Sequence, residues 1–129
     1  LIRELKRHRD KEGLLMANFV DFDSMYGHRR NAQGYAQCLE DFDAMLGELL
    51  PLLQDDELLM ITSDHGNDPT MSGTDHTREE VPLVAYSPSL TESTDLGTRL
   101  TFADLGQTIM DNFDAGKLPF GTSFLNDLK

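Results

Sequence analysis

Three short apolar stretches set the limits on how this chain can fold. They are residues 14–20 (Leu-Leu-Met-Ala-Asn-Phe-Val), 58–62 (Leu-Leu-Met-Ile-Thr) and 81–86 (Val-Pro-Leu-Val-Ala-Tyr). Each has the length of a strand and is too continuously apolar to have one face in water, so three buried strands are predicted. Pro82 falls near the start of the third, where its missing N–H matters least. Between the first two strands, Tyr35, Leu39, Phe42, Leu46, Leu49 and Leu50 recur at helical spacing behind Asn31, a residue suited to the N-cap. Pro51 closes that helix. Residues 2–12 read as a charged opening helix stopped by Gly13. A final helix, with Leu105, Ile109 and Phe113 four apart, follows the capping-box form Thr101-Phe102-Ala103-Asp104 and is expected to end near Gly116. Strands alternating with helices predict an α/β layer fold with a mainly parallel sheet. Ligands then sit beyond the carboxyl ends of the strands, where Asp21–Asp23 and Asp64–His65 fall.

Composition narrows the function classes. The 129 residues suit one domain with a buried core, and carry a net charge of −12. From residue 12 onward six basic residues face 21 acidic ones, a balance that repels phosphate backbones and argues against a nucleic-acid partner. Such acidity serves solubility, or reflects carboxylates held together by bound cations. The single cysteine, Cys38, excludes an internal disulfide, fits a reducing compartment and lies among helix-patterned apolar residues, where a packing role is expected. No apolar run approaches the roughly 20 residues that span a bilayer, and the first residues lack the apolar core of a secretory signal. The chain begins with Leu1 rather than Met, so an excised piece of a longer protein is expected.

Three of the four histidines stand in polar, glycine-containing words: Asp23-x4-His28, Asp64-His65-Gly66 and Asp75-His76. Imidazole nitrogens with carboxylate oxygens suit zinc or manganese better than copper(I). Gly27, Gly66 and Gly73 would permit sharp turns beside such a site. Each word also has a plainer reading. An Asp-His-Gly at a strand end can be only a turn, a spacing of five between Asp and His is no signature, and neighbouring carboxylates such as Asp21 and Asp23 arise by chance in an acidic chain. Spacing alone leaves both readings open. His8, in the basic opening helix, is read as solvated.

The segments NFVDFDSMYGHRR, TSDHGNDPTMSGTDHTREEVPLVAYS and GTSFL are similar to those of phosphopentomutases, enzymes of the alkaline phosphatase superfamily, over most of the chain from about Gly13. DHGN alone is shared with cofactor-independent phosphoglycerate mutases; its combination with DFD-x2-YGHR and GTDHTRE is narrower. The resemblance implies an alkaline-phosphatase-like three-layer α/β core, with residues 1–129 forming its C-terminal part. It implies interconversion of ribose or deoxyribose 1-phosphate and 5-phosphate through a phosphothreonine enzyme and two manganese ions, a cytoplasmic step of nucleoside catabolism. Asp64 and His65 match ligands of one ion, and Asp23, His28 and His76 match ligands of the other. The nucleophilic threonine, a further Asp ligand and the cap domain would precede these residues, so the chain alone is expected to be inactive and, with apolar edges exposed, prone to self-association. Asp21, Asn67, Asp68 and Asp75 are nearby candidates to orient the ligands, while for Arg29, Arg30 and Arg78 a surface role is favoured over phosphate contact. A phosphoglycerate mutase-like or phosphatase-like enzyme and a noncatalytic metal-binding module are the alternatives.

Overall fold

The computed structural model describes residues 1–129, which separate into two compact units. The first comprises residues 1–53 and 65–81, the second residues 54–64 and 82–129. No helix is long and apolar enough to cross a membrane.

In the first unit, helix α1 (Ile2–Arg7) is short and exposes most of its charged residues. Its single turns gain little from backbone hydrogen bonding alone, which is why it ends well before Gly13. Helix α2 (Ala32–Leu49) is the main element. Asn31 caps it as its position predicts, the side-chain oxygen accepting from Gly34 N–H at 2.9 Å. Pro51 lies in the 3-10 turn Leu50–Leu52 that closes the helix. The covered stripe of α2 runs through Tyr35, Cys38, Phe42, Met45, Leu46 and Leu49. Leu39, expected on that face, is 51% exposed, because Cys38 takes the inward place one position earlier.

Residues 14–20 correct a second expectation: they form no strand and are exposed throughout, with Met16 at 82%. A strand needs a neighbouring backbone to satisfy its N–H and C=O groups, and this unit supplies none there. Phe19 still finds a partner, its ring standing edge-on to Phe42 at 5.1 Å.

The second unit holds strands β1 (Leu59–Thr62) and β2 (Leu83–Tyr86), both where the sequence predicts them. Their pairing is antiparallel, in the register Leu59↔Tyr86 to Thr62↔Leu83. The mainly parallel sheet read from the sequence is therefore not the sheet of these residues. Parallel neighbours need a crossover, usually a helix, and between Thr62 and Leu83 there is no helix. Helix α3 (Ala103–Asn112) carries the core of this unit, where Phe124 and Thr108 are fully buried. Thr108 Oγ1 donates to Asp104 C=O at 2.8 Å and accepts from Phe124 N–H at 3.0 Å, pinning the C-terminal segment to the helix. The expected capping box does not form. Asp104 turns inward instead, accepting from Arg99 Nε at 2.8 Å and from Thr122 N–H at 2.8 Å.

Candidate metal centre

The first half of the site is a π-helical turn, Phe22–Gly27. Phe22 anchors it, with its ring edge-on to Tyr35 at 5.3 Å and to Phe42 at 6.1 Å. This turn gives meaning to a spacing that had none in the sequence. Residues five apart point to different sides of an α-helix, but in a π-turn they are hydrogen-bonded neighbours. His28 N–H donates to Asp23 C=O at 2.9 Å, and their side chains meet with His28 Nε2 at 3.4 Å from Asp23 Oδ1.

The second half comes from residues 65–77. Gly66 and Thr77 form an isolated antiparallel bridge, Thr77 N–H donating to Gly66 C=O at 3.2 Å. His65 and His76, each one residue before a member of the bridge, are thereby brought together with ring centroids 3.8 Å apart and an interplanar angle of 27°. Thr77 Oγ1 accepts from Asp68 N–H at 2.6 Å and donates to the Glu79 carboxylate. The bridge leaves no room at Gly66, where a Cβ would stand 2.8 Å from Thr77 C=O and 2.8 Å from Glu79 N.

The two halves converge on Asp23. His76 Nε2 lies 3.3 Å from Asp23 Oδ1, and donor atoms of Asp23, His65 and His76 all fall within 4.8 Å of one another. The histidine ring of His28 stands 4.7 Å from that of His76. Because a carbonyl can only accept, the contact of His28 Nδ1 with Thr74 C=O places a proton on Nδ1 and turns Nε2 toward Asp23. His65 Nδ1 makes the same kind of contact with Gly66 C=O at 3.2 Å. Asp23 Oδ1 thus faces one imidazole nitrogen at 3.4 Å and another at 3.3 Å. Ligands bound at about 2.1 Å to a tetrahedral ion stand roughly 3.4 Å apart. Donor type and spacing therefore fit a divalent cation.

The Asp23 carboxylate is held below its ordinary pKa. Burial pushes it up, but the hydrogen bond from Asn67 and the charges of His28, His76 and His65 outweigh that. Asn67 Nδ2 donates to Asp23 Oδ1 at 2.7 Å. The amide rests directly on Gly27, where a Cβ would lie 2.5 Å from Asn67 Nδ2. Asp68 is lowered by the backbone N–H and hydroxyl of Thr70, both donated to its Oδ1, which makes it a turn residue.

Of the five residues matched as ligands by resemblance, Asp23, His28, His65 and His76 come together in the first unit. Asp64 belongs to the second unit, just beyond β1. Among the four candidates for orienting ligands, Asn67 touches Asp23, while Asp75 contributes its backbone carbonyl to Arg30. Asp21 opens the π-turn, and its charge adds to the burial that raises the Cys38 thiol. Of the three glycines, only Gly73 takes a positive φ, +79°; Gly27 and Gly66 are required for close approach.

Arg30 departs most from the sequence reading. It is half-buried rather than a free surface residue, and its guanidinium donates to Gly27 C=O, Asn67 Oδ1, Asp68 C=O, Gly73 C=O and Asp75 C=O. Four of those acceptors are backbone carbonyls, which every residue possesses, so no sequence signal marks the role. Arg29 and Arg78 are exposed.

Residues 1–117 match the metalloenzyme superfamily. Over 120 residues the chain is 57% identical to a curated phosphopentomutase of Levilactobacillus brevis, an alignment covering 93% of this chain and 30% of that protein. The chain thus spans about 30% of the length of this relative. The superfamily match takes in every residue of the histidine–aspartate cluster, and the chain belongs to the metalloenzyme superfamily.

Proposed function

We propose that this chain is the C-terminal part of the metal-binding core of a phosphopentomutase, acting on ribose or deoxyribose 1-phosphate and 5-phosphate. The observation that carries the reading is the convergence of His28, His65 and His76 on Asp23, through the same sequence words in which the chain resembles that family. The identity to the Levilactobacillus brevis phosphopentomutase supports the substrate class.

Asp23, His28 and His76 would hold one divalent ion, and Asp64 and His65 would belong to the set for a second, manganese being the ion proposed for both. Bound there, divalent ions offset charge on the phosphoryl oxygens and activate a hydroxyl for in-line transfer. The chain's own residues do the holding. Thr74 C=O fixes the His28 tautomer, and Asn67 fixes the carboxylate of Asp23. Threonine nucleophile, remaining ligand and sugar-binding cap belong, on this reading, to other parts of a longer protein, in which the sheet would be larger and mainly parallel. Exposed Leu14, Met16, Phe19 and Val20 then make the isolated chain prone to self-association. A cytoplasmic place in nucleoside breakdown accompanies the proposal.

The test is turnover by the full-length protein containing this chain, with manganese, on ribose 1-phosphate and on 3-phosphoglycerate. Conversion of the pentose phosphate is expected; turnover of 3-phosphoglycerate alone would replace this reading with a phosphoglycerate mutase.

A further inference from the structure

We infer that Arg30 is a positioning residue that clasps the two ligand-bearing segments together and sets the orientation of Asn67 against Asp23. The inference rests on the metal-centre reading above, but its first arm needs no metal.

Three observations carry it. First, the acceptors of Arg30 lie on both segments: Gly27 C=O at 3.1 Å belongs to the π-turn, while Asp68 C=O at 2.8 Å, Gly73 C=O at 2.6 Å and Asp75 C=O at 2.5 Å belong to the segment carrying His65 and His76. One planar group thus holds three points of the 68–75 loop to the turn that carries Asp23 and His28. Second, Arg30 Nη1 reaches Asn67 Oδ1 at 2.7 Å. A guanidinium only donates, so the amide oxygen must face it, and Nδ2 is left to face Asp23 Oδ1 at 2.7 Å. The polarity of the contact with Asp23 is therefore set from Arg30. Third, Arg30 holds this place in a left-handed backbone conformation, φ 52°, which favours glycine. The side chain rather than the backbone accounts for arginine there.

Lysine is no substitute on this account, since its ammonium has three donors and no planar fork. Arg30→Gly suits the left-handed backbone while removing the side chain, and Arg30→Lys keeps an aliphatic stem and a charge, so together they separate loss of the clasp from loss of the fold.

The experiment combines hydrogen exchange and calorimetry on the full chain. In metal-free protein, Arg30→Gly and Arg30→Lys are each expected to speed amide exchange across residues 67–77 by about tenfold or more, with α2 unchanged. Exchange within about twofold of wild type in either variant would overturn the clasp. Manganese titration then reads the link to the ligands. Arg30→Lys and Asn67→Ala should each weaken binding by roughly tenfold to a hundredfold, and the double variant by no more than the larger single effect. Additive losses would overturn the action of Arg30 through Asn67. Wild-type protein that binds no manganese would instead overturn the metal-centre reading, leaving the clasp to be decided by exchange.

Discussion

Asn67 and Asp23 meet side chain to side chain, the amide Nδ2 donating across 2.7 Å to the same carboxylate oxygen that faces His28 and His76. That contact joins positions 44 apart in the chain into one site. It also makes Asp23 the most informative group to titrate. With its pKa lowered in the folded state, Asp23 contributes stability at pH values above its unfolded pKa. This contribution is lost as pH falls through the lower, folded value. Carboxyl NMR of the metal-free chain should place the Asp23 midpoint below the ordinary aspartate value, and Asn67→Ala should move it upward. An unmoved midpoint in that variant would contradict the role given to the amide.

Gly27 is the floor on which Asn67 rests. A methyl there would meet Asn67 Nδ2 at 2.5 Å and Phe22 C=O at 2.9 Å, and the latter is backbone that cannot swing aside. Gly27→Ala is expected to cost about 1–3 kcal/mol in chemical denaturation, as overpacked interiors do. Gly47, with open space around its position, is the control: Gly47→Ala should stabilise the exposed face of α2 by a fraction of that, up to about 1 kcal/mol.

Cys38 should react slowly with alkylating reagents at neutral pH. Burial raises its thiol pKa, and the carboxylates of Asp21 and Asp41 raise it further, so the thiolate is scarce where a free cysteine would already ionise. Iodoacetamide labelling followed by mass spectrometry should show a rate that rises at higher pH than for a model thiol. Asp21→Asn should increase the neutral-pH rate; no change would remove Asp21 from the explanation.

In the second unit, Asp104 is the group whose loss should matter most. Its carboxylate pairs with Arg99 and receives Thr122 N–H, and its side chain is only 9% exposed. Asp104→Ala strands the Arg99 guanidinium and an amide, for an expected loss of about 3–5 kcal/mol. Thermal melts of Asp104→Ala and Asp104→Asn decide the matter. Equal melting of both with wild type would show the pair to be dispensable.

Much of this was legible in the sequence. Periodicity located α2 and its Asn31 cap, and apolar runs located β1 and β2, because those elements answer to local spacing and short-range hydrogen bonds. Pairing sense did not follow, since it depends on which strands lie side by side, and two strands without an intervening helix pair antiparallel. For the site, the words around Asp23, His28, His65 and His76 named the residues that come together. The reason Asp23 and His28 can meet at a spacing of five was not legible, because a π-turn differs from an α-turn only through packing such as that of Phe22 on α2. The place of Arg30 is not legible for a related reason: four of its five acceptors are backbone carbonyls, and no residue type advertises those.

The most direct test of the metal centre is NMR of the four imidazoles during titration with zinc, a diamagnetic divalent ion. The account predicts saturable shifts at His28, His65 and His76 with His8 unmoved, and loss of the His28 and His76 shifts in Asp23→Asn. Equal response of all four histidines, or the same shifts without the Asp23 carboxylate, would contradict it.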